Sequence, residues 1–188
     1  MQARIRLQSA IAAALLATCT LSGAMSAAFS IESPSIKPGG ALLSAQVFNG
    51  MGCSGKNISP ALSWSGAPSG TKSFAVTLYD PDAPTGSGWW HWVVYNIPAT
   101  VSGLPAGAGN AGGTLPAGAL QGHTDFGTPG FGGACPPVGA KPHRYIFSVY
   151  ALKTDRIDVP DEASAAMVGY MIHANSLAKA SVTAHYGR

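Results

Sequence analysis

The sequence predicts a mainly β domain, and three observations support this fold class. Short runs rich in β-branched and aromatic residues are separated by clusters of Gly, Pro, Ser and Asn. The runs that begin at residues 92 and 143 are apolar on both faces, which predicts strands covered on both sides. A helix-like spacing of apolar residues appears near the C-terminus. The pattern therefore predicts a sheet with a small amount of helix packed on it.

Five runs are predicted strands, and each ends at turn-forming residues. In chain order they are residues 45–48, 62–64, 74–79, 92–97 and 143–152. Pro81 and Pro84 follow the third run and stop it, because proline lacks a backbone N–H and has a restricted φ angle.

The C-terminal segment from residue 161 to residue 186 is rich in Ala, Met and Leu. Val168, Met171 and Ile172 recur at roughly helical spacing, with Leu177 following. Acidic residues at 161 and 162 suit the start of a helix, where the helix dipole favours negative charge. We predict one or two short helices here.

A polar cluster follows the third predicted strand. Asp80 and Asp82 flank Pro81, and a spacing of two places both carboxylates on one side if the chain stays extended. His91 opens the next run and can donate, accept or titrate near neutral pH. These side chains predict a pocket that orients a polar ligand. The alternatives are ordinary turn chemistry, since Asp is common in β-turns, and a metal site, since carboxylate and imidazole are good ligands.

Two sequence blocks resemble a known family. The first is Asp-Pro-Asp-Ala-Pro at residues 80–84, which leads to His-Trp at 91–92. The second is Pro-Pro-Val-Gly at residues 136–139, which leads to His-Arg-Tyr at 143–145. In this order and at this separation they resemble the phosphatidylethanolamine-binding proteins, and within them the bacterial Raf kinase inhibitor-like branch. The resemblance covers nearly all of the chain after about residue 29.

The resemblance implies an antiparallel β-sandwich with a few peripheral and C-terminal helices, and a shallow cleft for phosphate, phosphorylated head groups or acetate. Transferred position by position, the cleft residues are Asp80, Asp82, Trp89, His91, Gly133, Pro136, Pro137, His143 and Tyr145. Protonated His91 and His143, with Tyr145, would hold the phosphate. Asp80 and Asp82 would orient the imidazoles or receive an ammonium group.

The resemblance also implies a small binding protein, not an enzyme, that needs no cofactor and no metal. Neither a Gly-x-Ser-x-Gly elbow nor a His-Glu-x-x-His motif occurs in the sequence. A hydrolase that uses Asp80, Asp82, His91 and His143 remains one alternative. A modulator or inhibitor of a protease or a host protein is another. Lys and Arg are scattered singly, so the sequence does not indicate nucleic-acid binding.

The N-terminal residues have the pattern of a secretory signal peptide. Arg4 and Arg6 precede an apolar run at 11–17, and small residues follow up to Ala28. We predict cleavage after Ala28, a single domain at residues 29–188, and a periplasmic or secreted location. The apolar run is shorter than the roughly 20 residues that span a bilayer, so no transmembrane helix is expected in the mature chain. Acylation of Cys19 as a lipoprotein is the alternative.

Loss of Cys19 with the signal peptide would leave two cysteines in an oxidising compartment. We therefore predict a disulfide between Cys53 and Cys135, which would tie an early Gly-rich loop to the second sequence block. A catalytic thiol is the rival interpretation.

Overall fold

Residues 27–188 are the part of the chain that this computed structural model describes. Residues 1–26, with most of the predicted signal peptide and Cys19, lie outside it. The described part contains one α-helix, α1 (Ala165–Asn175), and a 3-10 turn at Ser44–Gln46. Its strands are β1 (Ser30–Glu32), β2 (Asn49–Gly50), β3 (Cys53–Ser54), β4 (Leu62–Ser65), β5 (Ser73–Asp80), β6 (Trp89–Pro98), β7 (Gly103–Leu104), β8 (Leu120–Gln121), β9 (His143–Leu152) and β10 (Ser176–Tyr186).

These strands form antiparallel sheets, which confirms the predicted fold class. The main sheet has five strands in the order β10-β9-β5-β6-β8, and a second sheet has the order β1-β4-β7. A small hairpin pairs β2 with β3. In the main sheet β5 is central and runs antiparallel to both β6 and β9. This arrangement places the end of β5 beside the starts of its two neighbours.

Apolar residues alternate along the central strands and fill two cores. Phe74 and Val76 of β5 pack with Trp64 of β4 in the core between the two larger sheets. Ala75 of β5, one residue out of step, packs on the opposite face with Val168 of α1. Successive strand residues point to opposite faces, so one strand contributes to both cores. The prediction that β6 and β9 are covered on both sides is confirmed, since both strands supply residues to both cores.

Within the segment 161–186, the prediction of one or two short helices is confirmed by one helix, and it is wrong for the residues that follow this helix. One helix forms, with Ser164 as its N-cap accepting a hydrogen bond from the Met167 N–H, and it ends at Asn175. From Ser176 onward the chain is the edge strand β10, paired with β9 from Ala178 to Tyr186. Pairing along the whole of β9 and burial of alternate small residues outweigh the helix propensity of alanine in this segment.

The strand predicted at residues 45–48 is also wrong. Ser44–Gln46 form a 3-10 turn, and β2 begins only at Asn49. The backbone of this segment instead bonds to Ala134: the Ala134 N–H donates to the Gln46 carbonyl and the Phe48 N–H donates to the Ala134 carbonyl, both at 3.0 Å. The segment therefore anchors the chain near the second sequence block.

No helix of residues 27–188 has the length and apolar character needed to cross a membrane.

Candidate functional site

Polar residues of the two sequence blocks meet at one end of the main sheet. Asp80 is the last residue of β5, and its register partner on one side is Trp89, the first residue of β6. His143 is the first residue of β9, which flanks β5 on the other side. Because both neighbours run antiparallel to β5, their first residues lie beside its last residue. Two segments distant in the sequence are joined here by strand pairing.

Strand alternation then directs four side chains into one cavity. Trp89 and His91 are two residues apart on β6, and His143 and Tyr145 are two apart on β9, so each pair shares a face. The cavity they line has a volume of about 160 Å³. Its other lining residues are mostly apolar: Met51, Asp80, Ala83, Pro84, Thr85, Phe126, Cys135, Pro136 and Pro137.

Asp80 and His143 form a buried hydrogen-bonded pair at the cavity. Asp80 is 2% exposed, and its Oδ2 accepts a hydrogen bond from His143 Nδ1 at 2.7 Å. Its Oδ1 accepts from the Asp82 backbone N–H at 2.8 Å. Both oxygens of the Asp80 carboxylate thus accept hydrogen bonds. The bond to Nδ1 orients the His143 imidazole and leaves its Nε2 available to a ligand.

His91 is held in a different way. Its Nδ1 lies 2.9 Å from the Gly132 carbonyl oxygen, which can only accept, so Nδ1 carries a proton. Burial lowers the pKa of His91 to about 4. The hydrogen bond to Gly132 and the charge of Asp80 raise this pKa, but by less than burial lowers it. His91 is therefore neutral near pH 7, with Nε2 as an acceptor. The protonated His91 expected from the sequence is not the resting form.

Two buried donors at the cavity have no hydrogen-bond partner among residues 27–188. They are the indole Nε1 of Trp89 and the hydroxyl of Tyr145. Burial raises the pKa of Tyr145, and the nearby Asp80 charge raises it further, so the hydroxyl keeps its proton. A buried donor without a partner costs free energy, and a ligand oxygen in the cavity would recover it.

Asp82 lies outside the cavity, contrary to the expectation of a shared side with Asp80. The strand ends at Asp80 and the chain turns at Pro81, so the alternation does not continue. The Asp82 carboxylate accepts from Arg144 Nε at 2.9 Å and Nη2 at 2.7 Å. These hydrogen bonds lower the pKa of Asp82 to about 2. Its role in the structure is to join the turn after β5 to the start of β9.

Gly133 also lies behind the cavity wall and not in it. A side chain on Gly133 would approach the Gln46 carbonyl to 2.4 Å, so the position requires glycine for close backbone packing. Its N–H donates to Asn57 Oδ1 at 2.7 Å. Asn57 has a left-handed backbone with φ 54° and fastens the loop whose Gly132 carbonyl holds His91. Sequence reasoning missed this positioning role, because Asn57 belongs to neither block.

A disulfide closes one wall of the cavity, as predicted. Cys53 and Cys135 are bonded, with Cα atoms 5.9 Å apart, and Cys135 lines the cavity. Arg188 reinforces the same wall: its Nε donates to the Pro136 carbonyl at 2.6 Å and its Nη1 to the Gly52 carbonyl at 2.8 Å. The bonded state excludes the alternative of a free catalytic thiol at either position.

Seven of the nine predicted site residues line the cavity, the exceptions being Asp82 and Gly133. Sequence reasoning missed the apolar walls formed by Met51 and Phe126. Both lie in turn-rich segments outside the two blocks, and no local pattern marks them. Within residues 27–188, no three His, Cys, Asp or Glu side chains are grouped so as to hold a metal ion.

Comparison with known proteins finds relatives that match nearly the whole described chain. The family model for "phosphatidylethanolamine-binding protein" matches residues 32–187. The UPF0098 protein YbcL of Escherichia coli K12 is 58% identical over 181 residues, covering 96% of this chain and 98% of YbcL. The UPF0098 protein YbhB of the same organism is 57% identical over 151 residues, covering 80% of this chain and 95% of YbhB.

Solved structures agree in fold. The crystal structure of E. coli YbcL, described as a new member of the mammalian PEBP family, superposes with a TM-score of 0.84 at 60% identity, covering 86% of this chain and 99% of that chain. A PEBP homolog, CT736 from Chlamydia trachomatis, superposes with a TM-score of 0.70 at 28% identity, covering 86% of this chain and 98% of that chain.

Proposed function

The chain belongs to the phosphatidylethanolamine-binding protein family, and from this premise we propose that it is a small binding protein for anionic ligands with a phosphate or similar head group. The observation that carries the proposal is the pair of unpartnered buried donors, Trp89 Nε1 and Tyr145 Oη, at one small cavity. Natural proteins pair nearly all buried donors with an acceptor. We therefore expect an acceptor atom of a ligand to bond to these two donors.

The histidines complete a site suited to a phosphate that carries a proton. Both Nδ1 atoms are engaged, that of His143 with Asp80 and that of His91 with Gly132. The neutral His91 Nε2 can accept from a P–OH group or an ammonium. His143 Nε2 can donate to a phosphate oxygen when protonated, or accept when neutral. Asp80 does not repel the anion strongly, because its oxygens face His143 and the Asp82 N–H.

Removal of the Tyr145 hydroxyl tests the proposal most directly. In Tyr145→Phe, we expect the affinity for phosphoethanolamine and inorganic phosphate to fall about tenfold or more, because a hydrogen bond to a charged group contributes roughly 1.5–3 kcal/mol. The fold should lose at most about 1 kcal/mol of stability, since the Tyr145 O–H donates to no protein acceptor in the described chain and its oxygen interacts with the Cys135 backbone N–H. Isothermal titration of the mature protein measures the affinity, and urea unfolding measures the stability.

Tyr170→Phe is the matched control, because Tyr170 is 72% exposed on α1 and does not line the cavity. Equal affinities of the wild type and both variants would remove Tyr145 from the site. If the wild type binds neither compound, the alternative of a modulator or inhibitor of a protease or host protein takes precedence.

A hydrolase is the second candidate, and the Asp80–His143 pair favours it. A carboxylate on Nδ1 and a free Nε2 are the arrangement of a general base. The cavity supplies no evident nucleophile, since the Thr85 hydroxyl donates to the Gly88 carbonyl and Cys135 is in the disulfide. Release of inorganic phosphate from phosphoethanolamine during the titration, abolished in His143→Ala, would identify a hydrolase. Binding without release supports the binding protein.

We also propose that the protein is exported and cleaved, with a periplasmic or secreted location. The N-terminal pattern of two arginines, an apolar run and small residues supports this. Phe29 already packs against the core, with its ring 6.2 Å from Phe74. N-terminal sequencing of the exported protein should begin at Phe29. An intact Met1, or an acylated Cys19, would contradict the proposed cleavage.

A further inference from the structure

We propose that a cationic groove beside the anion cavity binds a carboxylate of the same ligand. The ligand class is then a small phosphate monoester that carries a carboxylate, as O-phosphoserine does, in preference to phosphoethanolamine. This inference rests on the proposed function, because the cavity would hold the phosphate. It goes further by assigning a second site and by naming the chemical group that this site recognises.

The groove is open, has a volume of about 670 Å³ and lies next to the cavity. Pro84, Pro137 and His143 line both spaces, so the groove and the cavity share one wall. His143 is fixed in this wall by its hydrogen bond to Asp80. Because the two spaces meet at these three residues, one small ligand can occupy both.

Lys141 supplies a positive charge that no protein carboxylate compensates. It is exposed, and it lines the groove but not the cavity. Within residues 27–188 it forms no ion pair with Asp or Glu. Pro142 follows it and restricts its backbone to extended conformations, which limits where the side chain can start. The ammonium group is therefore available to an anionic group of a ligand.

Asp82 is the one acidic residue that lines the groove, and it does not cancel the charge of Lys141. Its carboxylate is already paired with the guanidinium of Arg144, which donates from Nε at 2.9 Å and from Nη2 at 2.7 Å. Arg144 also lines the groove, and its Nη1 donates to no acceptor in the described part of the chain. The ion pair is thus neutral as a whole and still offers a donor to a ligand oxygen.

The cavity and the groove thus suit two different anionic groups. The cavity offers the neutral donors Trp89 Nε1 and Tyr145 Oη, which suit phosphate oxygens. The groove offers the charged Lys141 and the free Nη1 of Arg144, which attract a carboxylate and repel an ammonium. O-phosphoserine can direct its carboxylate to the groove and leave its ammonium in solvent. Phosphoethanolamine has no group that gains from the groove.

Phosphoethanolamine and O-phosphoserine differ by a single carboxylate, so their affinities test the inference. Each compound is titrated into the mature protein by calorimetry near neutral pH. We expect O-phosphoserine to bind about fivefold more tightly, the effect of a favourable ion pair at an exposed site. Salt screens exposed charges, so this preference should shrink when the ionic strength is raised from about 0.01 M to about 1 M.

Lys141→Met separates the groove from the cavity, because methionine keeps an unbranched side chain and removes the charge. In this variant the ratio of the two affinities should fall close to one. Lys141→Arg restores a positive charge and should keep O-phosphoserine the tighter ligand. Lys153→Met is the matched control, since Lys153 is exposed and follows the end of β9 that is remote from His143. It should leave the ratio as in the wild type.

The outcomes distinguish the inference from the proposed function. Equal affinities for the two compounds in the wild type overturn the carboxylate site and leave the anion cavity standing. An undiminished preference in Lys141→Met also overturns it. If neither compound binds, the proposed function itself fails.

A blocked compound distinguishes a small ligand from a phosphorylated peptide. N-acetyl-O-phosphoserine amide keeps the phosphate but has neither a free carboxylate nor an ammonium, like a phosphorylated residue within a chain. We expect it to bind more weakly than O-phosphoserine, because it offers the groove no anionic group. Binding as tight as that of O-phosphoserine would overturn the carboxylate site in favour of a peptide ligand.

Discussion

Replacement of Cys53 and Cys135 by serine is expected to lower the free energy of unfolding by about 4 kcal/mol, the largest effect of any change considered. The bond joins residues 82 apart in the sequence, so its loss frees a long loop in the unfolded chain. Serine is close to cysteine in size, which limits the packing change. Urea unfolding of the oxidised wild type and the double variant measures the difference.

Alanine at both positions is the control for the serine hydroxyls, because Cys53 is buried and a buried hydroxyl without a partner would add its own cost. The two double variants should agree within about 1 kcal/mol. A loss below about 1 kcal/mol in both would show that the other contacts of this wall suffice. Arg188, which bonds the carbonyls of Gly52 and Pro136, is the evident candidate for such compensation.

The free energy of unfolding is expected to fall by roughly 3 kcal/mol as the pH is lowered from about 6.5 to about 4, through His91 alone. The pKa of this histidine is lowered by burial from 6.5 in the unfolded chain to about 4 in the fold. Between these values the unfolded chain binds a proton that the folded chain does not. Acid therefore favours unfolding in this window, and the stability contributed by neutral His91 is fully present above it.

His91→Asn is the matched variant for this measurement. Its side-chain amide can still donate to the Gly132 carbonyl, as His91 Nδ1 does, but it does not titrate. Unfolding in urea at a series of pH values should give a much weaker pH dependence for the variant between pH 6.5 and 4. Parallel curves for the two proteins would contradict a buried neutral His91. Asp82 does not affect the comparison, because its own contribution changes between the unfolded pKa of 3.8 and the folded pKa of about 2, at and below the lower end of the window, and is the same in both proteins.

A neutral His91 also has a functional consequence. A site that relied on two imidazolium groups would bind anions more tightly as the pH falls through 6.5. In this structure the fixed donors are Trp89 Nε1 and Tyr145 Oη, which keep their protons across the physiological range. Protonation of His91 would place a positive charge in a buried environment. We therefore expect this protonation to accompany unfolding rather than ligand binding.

The sequence predicted which residues belong to the site better than it predicted where their side chains lie. The two blocks supplied Asp80, His91 and His143, and strand alternation explains why Trp89 and Tyr145 face the same cavity. Asp82 was misplaced because alternation was extended two residues beyond the strand, which ends at Asp80. A pairing partner, not a local preference, determines where a strand stops, and β5 stops at Asp80.

Residues 176–186 were expected to belong to the helical segment and form a strand instead, for a related reason. Alanine favours a helix in isolation, but β9 offered an unpaired edge along its full length, and β10 occupies it. Local propensity is worth tenths of a kcal/mol per residue, and long-range pairing and burial together outweigh it.

By itself the sequence determined the β class, the family resemblance, the bonded cysteines and the central polar residues, because these depend on residue identity, on the number of cysteines and on the spacing within each block. Only the tertiary structure decided the protonation of His91, the outward position of Asp82, the bracing by Asn57 and the apolar cavity walls formed by Met51 and Phe126. Burial and contacts between distant segments set those properties. Neither is a property of any short stretch of chain, so both exist only once the sheet has brought the segments together.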